Sequence, residues 1–173
     1  MSFLSNIFGK PAERERLAPL YGAVVTAARN PVWYREGQVP DTVDGRFDMV
    51  AAILALVLLR LEAEGERARG ESVLLTELFI HDMEGSIRQL GTGDVVVGQQ
   101  IGKMMGALGG RLGAFGAAID EGGDFTVVIA RNIFHEKPPE GAAEFVGARL
   151  RNFYDQLQPI PGEEILGGRV PAA

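Results

Sequence analysis

Apolar residues recur along this chain at steps of three and four, the period of a helix with one buried face. Leu17, Leu20, Tyr21, Val24, Val25 and Ala28 form the first such series. Pro11, a residue suited to a first helical turn, precedes it, and Asn30-Pro31 closes it. The following PVWYREGQVPDTVDG mixes Pro, Gly and Asp with the single tryptophan, which reads as a loop held down by packed Trp33 and Tyr34. Between Phe47 and Leu61 only Asp48 and Arg60 carry charge, and Met49 to Leu59 is an unbroken apolar run. Its Ala and Leu content and its length favour a helix over a strand. A membrane span needs about 20 apolar residues, so this run is too short for one. A helix that is apolar all round must be covered all round, which places it at the centre of a bundle.

The charged stretch from Leu61 to Gly70 reads as a solvated connection. Leu74, Leu75, Leu78, Phe79, Met83, Ile87 and Leu90 then trace an amphipathic helix stopped by Gly91. Asp94 is placed to cap the next helix, whose inward positions are Val97, Ile101, Met104, Met105, Leu108, Leu112, Phe115 and Ile119. Asp124 opens a short helix running to Phe134, Pro139 opens a last one running to Leu157, and residues 158–173 read as a tail. The prediction is an all-α fold, a single compact multi-helix domain over residues 11–157 around the buried apolar helix. Residues 1–10 stand outside it; Phe3, Leu4, Ile7 and Phe8 lie at near-helical spacing, and a terminal segment that is docked on the domain or disordered is the preferred reading, with contact to a membrane surface as the alternative.

Gly98, Gly102, Gly106 and Gly110 stand four residues apart in one predicted helix. An interior glycine costs about 1 kcal/mol relative to alanine, so four in register imply a strip that another helix approaches closely. Gln99, Gln100, Lys103 and Arg111 argue against that helix lying in lipid. Packing against a helix of the same domain is the preferred reading, with a partner's helix as the alternative.

Composition narrows the function. A net charge of −6 argues against nucleic-acid binding, which needs clustered Lys and Arg to neutralise phosphates. With no cysteine there is no disulfide, thiolate metal site or thiol catalysis. No basic leader precedes an apolar core near the start, so a cytoplasmic location is expected, with a peripheral position on the inner membrane's cytoplasmic face as a further expectation.

Candidate chemistry is sparse. His81 and His135 lie in different segments, and Asp82 and Glu84 near His81 do not make a metal motif. Met104 and Met105 suit core filling better than haem ligation. No Ser or Thr has a His–Asp arrangement to activate it. No enzyme, no cofactor and no metal are expected. Two polar stretches nevertheless carry more specific chemistry than connecting loops require. One holds Pro40, Asp41, Thr42, Asp44, Gly45 and Arg46; the other holds Asp82, Arg88, Gly91, Gly93 and Asp94. Asp41, Asp44, Asp82 and Asp94 meeting Arg46, Arg88, Arg111 and Arg131 would form one ion-pair network at an end of the bundle, either fixing helix ends or offering a docking surface.

These stretches resemble the ubiquinol–cytochrome c chaperone family, assembly factors of respiratory complex III. The resemblance runs through LYGAVVTAARNPVWY, VPDTVDGRFDM, HDMEGSIRQLGTGDVVVGQQIGKMM, Gly110-Arg111 and ARNIF at 130–134, in order, from Leu20 to Phe134. The chain departs from the family pattern at Glu84, where a second Asp is frequent, and at Gln89, where an acid is frequent. The resemblance implies a bacterial, non-enzymatic chaperone that binds newly made cytochrome b, with a small co-chaperone as a further partner. It adds Asn132, beside Arg131, to the partner-binding candidates. The rival readings are a helical small-ligand or haem carrier, or an enzyme, with an Asp/Arg-lined pocket, and a membrane-peripheral scaffold.

Overall fold

The Asn30-Pro31 junction that ends the first helix also begins the second: the Asn30 carboxamide accepts from the Val32 N–H, and Pro31 occupies the first turn. In the computed structural model, which describes residues 14–89, 91, 93–135 and 137–173, α1 spans Ala18–Ala28 and α2 Pro31–Arg35. Pro11, Leu90 and the apolar residues of segment 1–10 lie outside the described residues. The expected loop therefore contains a helical turn, because Pro31 presets the backbone and Asn30 satisfies an otherwise open donor. Trp33 is fully buried and donates from Nε1 to the Ala27 carbonyl at 2.8 Å, while the Tyr34 hydroxyl donates to Ala28 O at 3.0 Å.

The apolar helix α3 runs Val43–Glu62, starting four residues before Phe47. Thr42 caps it, its hydroxyl accepting from Gly45 N–H at 3.1 Å, so Asp44, Gly45 and Arg46 form its first turn rather than a loop before it. Every residue from Asp48 to Leu58 is buried. α1, α4, α5 and α7 pack around it, which gives the all-α, single compact domain that the pattern predicts. Every regular element among the described residues is helical.

Gly45 has a specific steric reason to be glycine. A Cβ placed there would lie 2.0 Å from the Pro40 carbonyl oxygen, a contact only a backbone shift could relieve. Gly45→Ala is expected to displace the Pro40–Thr42 turn and destabilise the protein by about 1–3 kcal/mol, read by urea denaturation.

The charged Leu61–Gly70 stretch is not a solvated connection. Only Ala63–Gly65 turns, and α4 spans Glu66–Gln89, because Glu, Arg and Ala are strong helix formers that need no apolar face to start a helix. α5 spans Asp94–Asp120. Gly93, not Asp94, is its N-cap; Asp94 sits in the first turn and turns its carboxylate to Arg88 instead. α6 spans Phe125–Ile129, capped by Asp124, and continues as a π turn, Ala130–Phe134. α7 spans Ala142–Leu157.

Residues 158–173 dock on the domain. They carry α8, Gly162–Leu166, with Ile165 buried, and Asn30 Nδ2 donates to the carbonyl of Ala173. Buried Arg60 joins the two ends, donating from Nη2 to Ile160 O at 2.8 Å and from Nε to Leu157 O at 3.3 Å. It thereby satisfies carbonyls left open where α7 ends.

Candidate functional site

The expected single Asp/Arg network is instead three separate groups. At the start of α3, Arg46 Nε and Asp41 Oδ1 pair at 2.6 Å in solvent, and the guanidinium's hydrogen bond lowers the Asp41 pKa. At the α4–α5 turn, Arg88 donates to Glu84 at 2.8 Å and reaches Asp94. Both carboxylates raise the pKa of the Arg88 guanidinium. Asp82 belongs to neither: it accepts from the Tyr21 hydroxyl at 2.7 Å, and burial first, then this bond, pushes the Tyr21 pKa well up. Asp44 is exposed.

The third group was not expected; its Asp48–Arg111 pair is buried, and its third member, His135, is exposed. Arg111, 2 % exposed, donates from Nη2 to Asp48 Oδ1 and to the backbone carbonyl of Asn132. Its guanidinium carbon lies 5.8 Å from the centre of the Phe47 ring. The other Asp48 oxygen meets His135 Nε2 at 2.7 Å, and His135 holds a left-handed backbone, φ 57°, directly after the π turn. Burial raises the Asp48 pKa, against the opposing pull of His135 and Arg111, and burial lowers that of Arg111. Asp48 had only been noted as a lone charge in an apolar run. A charge in such a position needs a buried partner, and that was the available signal. Nothing in the sequence pointed to His135.

This group is filled by its own members, so it pins α3, α5 and the π turn together rather than lining a pocket. Arg131 and Asn132 lie beside it but face elsewhere. Exposed Arg131 borders an 820 Å³ surface concavity shared with His135 and Lys137, opposite Glu140 and Glu144, and the Asn132 carboxamide donates to Val128 O.

The glycine strip overturns the preferred reading of it. A Cβ built at Gly98, Gly102, Gly106 or Gly110 meets nothing within 4 Å, so no helix among the described residues packs against these positions. Gly109 and Gly113 are equally open. At about 100° per residue, Gly98, Gly102, Gly106, Gly109 and Gly113 fall within about 80° of one another, and Val95 shares that face. Val95 is 77 % exposed. The domain has covered α3 with α1, α4, α5 and α7, leaving this face of α5 without a partner among the described residues. The face lies on the α4–α5 hairpin, near whose tip Ile87 and Val97 are buried outside the main core. Gly91, with φ 77°, and Gly93 form the turn at that tip.

The sequence of residues 35–172 matches the family model described as ubiquinol-cytochrome C chaperone. The chain belongs to the ubiquinol–cytochrome c chaperone family. The crystal structure of the Cbp3 homolog from Brucella abortus is similar, with a TM-score of 0.80 and 29 % identity over 94 % of this chain and 91 % of that one. No curated protein matches. Family and fold together make this chain an assembly chaperone of complex III. No helix among the described residues is long and apolar enough to cross a membrane.

Proposed function

We propose that this member of the ubiquinol–cytochrome c chaperone family acts without catalysis, binding newly made cytochrome b and holding it until complex III assembles. The observation that carries the reading is the open glycine face on α5, with exposed Val95 at its head and Met105 half-buried along its edge. Small residues let a partner helix bring its backbone close, the packing mode by which helices associate where no hydrophobic difference drives them together. A membrane subunit awaiting assembly presents helices of that kind. In this reading the polar groups at Asp41–Arg46 and Arg88–Asp94 serve as further orienting contacts, and a small co-chaperone is a further partner of the same complex.

Co-purification tests it: cytochrome b is expected to accompany the chain from gently solubilised membranes, and its absence overturns the proposal. Exposed ion pairs add little to stability, so Arg88→Ala and Asp94→Ala are expected to leave thermal melting unchanged while lowering complex III content and complex III-dependent growth. Unfolding of either variant would return the pair to a structural role.

A further inference from the structure

Two concavities meet at α6. One, of about 820 Å³, opens between α6, the π turn and the start of α7. The other, of about 310 Å³, lies between α6 and α5, where Gly110 and Ala114 form the far wall. Val127 and Arg131 line both, so they form the ridge that separates them. They stand four residues apart and both are exposed, Val127 by 67 %. At the next residue the backbone is fastened inward, because buried Arg111 donates to the Asn132 carbonyl.

The larger concavity has two banks of opposite charge. Arg131 and Lys137 border it on the side of the π turn, Glu140 and Glu144 on the side of α7, and all four are exposed. None of the four pairs with another charge among the described residues. His135, on the same border, is already engaged by Asp48 at 2.7 Å. A ridge that is apolar and basic therefore stands directly beside a groove whose far bank is acidic, and such a surface is complementary to a copy of itself. With two chains related by a two-fold axis, each ridge enters the other chain's groove, Arg131 meets the opposite Glu140 and Glu144, and every contact is made twice.

We propose that this face forms a homodimer, the Val127–Arg131 ridge of each chain seated in the α6–α7 groove of the other. Charge selects this occupant. A chain of net charge −6 repels its copies in general, but here two bases stand against two acids, so the face itself carries no net charge to oppose the approach. A wholly acidic or wholly basic partner would be drawn to one bank and repelled by the other. The pairing is independent of the client, and its test uses the purified chain alone, so neither proposal depends on the outcome for the other.

Sedimentation equilibrium of the full chain is expected to show a reversible dimer with a dissociation constant of about 10–100 µM, weakening as salt rises. Arg131→Glu and Glu144→Arg change exposed residues that have no charged partner in the chain, so melting is expected to stay unchanged. Each is expected to raise the dissociation constant at least about tenfold, because like charges then meet twice in the variant's own dimer. Mixing the two variants is expected to restore a heterodimer of wild-type affinity: the two reversals face each other at one contact, and native Arg131 and Glu144 at the other. The milder Arg131→Gln and Glu144→Gln are expected to flatten the salt dependence. A chain that stays monomeric up to about 1 mM, a dimer indifferent to the reversals, a mixture that does not re-form it, or a salt dependence unchanged by the glutamine variants each overturn the proposal.

Discussion

Asp48→Ala is expected to destabilise the protein by about 3–5 kcal/mol, the range seen when one member of a buried ion pair is removed. The loss arises because Arg111 stays behind, 2 % exposed, with its main carboxylate partner gone and Nε already without a hydrogen bond among the described residues. Arg111→Ala strands Asp48 in the same way, and it also frees the Asn132 carbonyl and the His135 loop. Asp48→Leu combined with Arg111→Met removes both charges while filling the space. It is expected to cost far less than the sum of the two alanine changes, since apolar replacement of a whole buried pair is close to neutral. Urea denaturation of the two alanine variants and the double variant decides this; additive losses would show that the pair is not a coupled unit.

The same pair has a pH signature with a defined sign. Burial holds the folded-state pKa of Asp48 above its unfolded value, which is about 3.9. The folded state then binds the proton more tightly, and stability falls as pH rises from about 4 through the raised folded pKa. Asp48→Asn lacks this titration. The wild type is therefore expected to lose stability relative to Asp48→Asn across that window and to run parallel to it below pH 3. A wild type that instead gains on the variant as pH rises would mean that Arg111 and His135 outweigh burial.

The contrast between α3 and Asp48 shows what a sequence can reveal here. Eleven consecutive buried residues, Asp48–Leu58, leave a pattern that only a central helix explains. The all-α fold follows from the amphipathic helices needed to cover it. Helix starts were harder to read. α4 begins in a charged run because intrinsic propensity suffices there, and α2 forms inside a Pro-rich stretch because Asn30 caps it. The docking of residues 158–173 depends on Arg60 finding carbonyls about 100 residues away, a pairing that no local pattern encodes. His135 is the extreme case. Its contact with Asp48 depends on a π turn and a left-handed residue, both products of the tertiary fit. The glycine strip was visible at once, but whether it faced inward depended on the placement of every other helix.

Replacing Gly98, Gly102, Gly106 and Gly110 together by alanine is expected to move stability and function in opposite directions. None of the four added methyl groups meets an atom of the described residues within 4 Å, so none of the described residues resists them. Each replacement lowers the conformational freedom of the unfolded chain and raises helix propensity by about 0.5–1 kcal/mol, giving about 2–4 kcal/mol for the four. Thermal melting should rise accordingly. A partner helix seated on this face would meet the new methyl groups at positions 98, 102 and 106 along its line of closest approach, and the backbone contact that small residues permit would be lost. Cytochrome b recovered with the variant is expected to fall about tenfold, the effect of losing about 1.4 kcal/mol of binding, and complex III content with it. A variant that is both more stable and fully active would leave the strip without a role in docking. One that is less stable would show that a helix of this domain does close over it. The predicted pairing, a gain in stability with a loss of partner, is what accounts for a helix that keeps four glycines at a cost to its own fold.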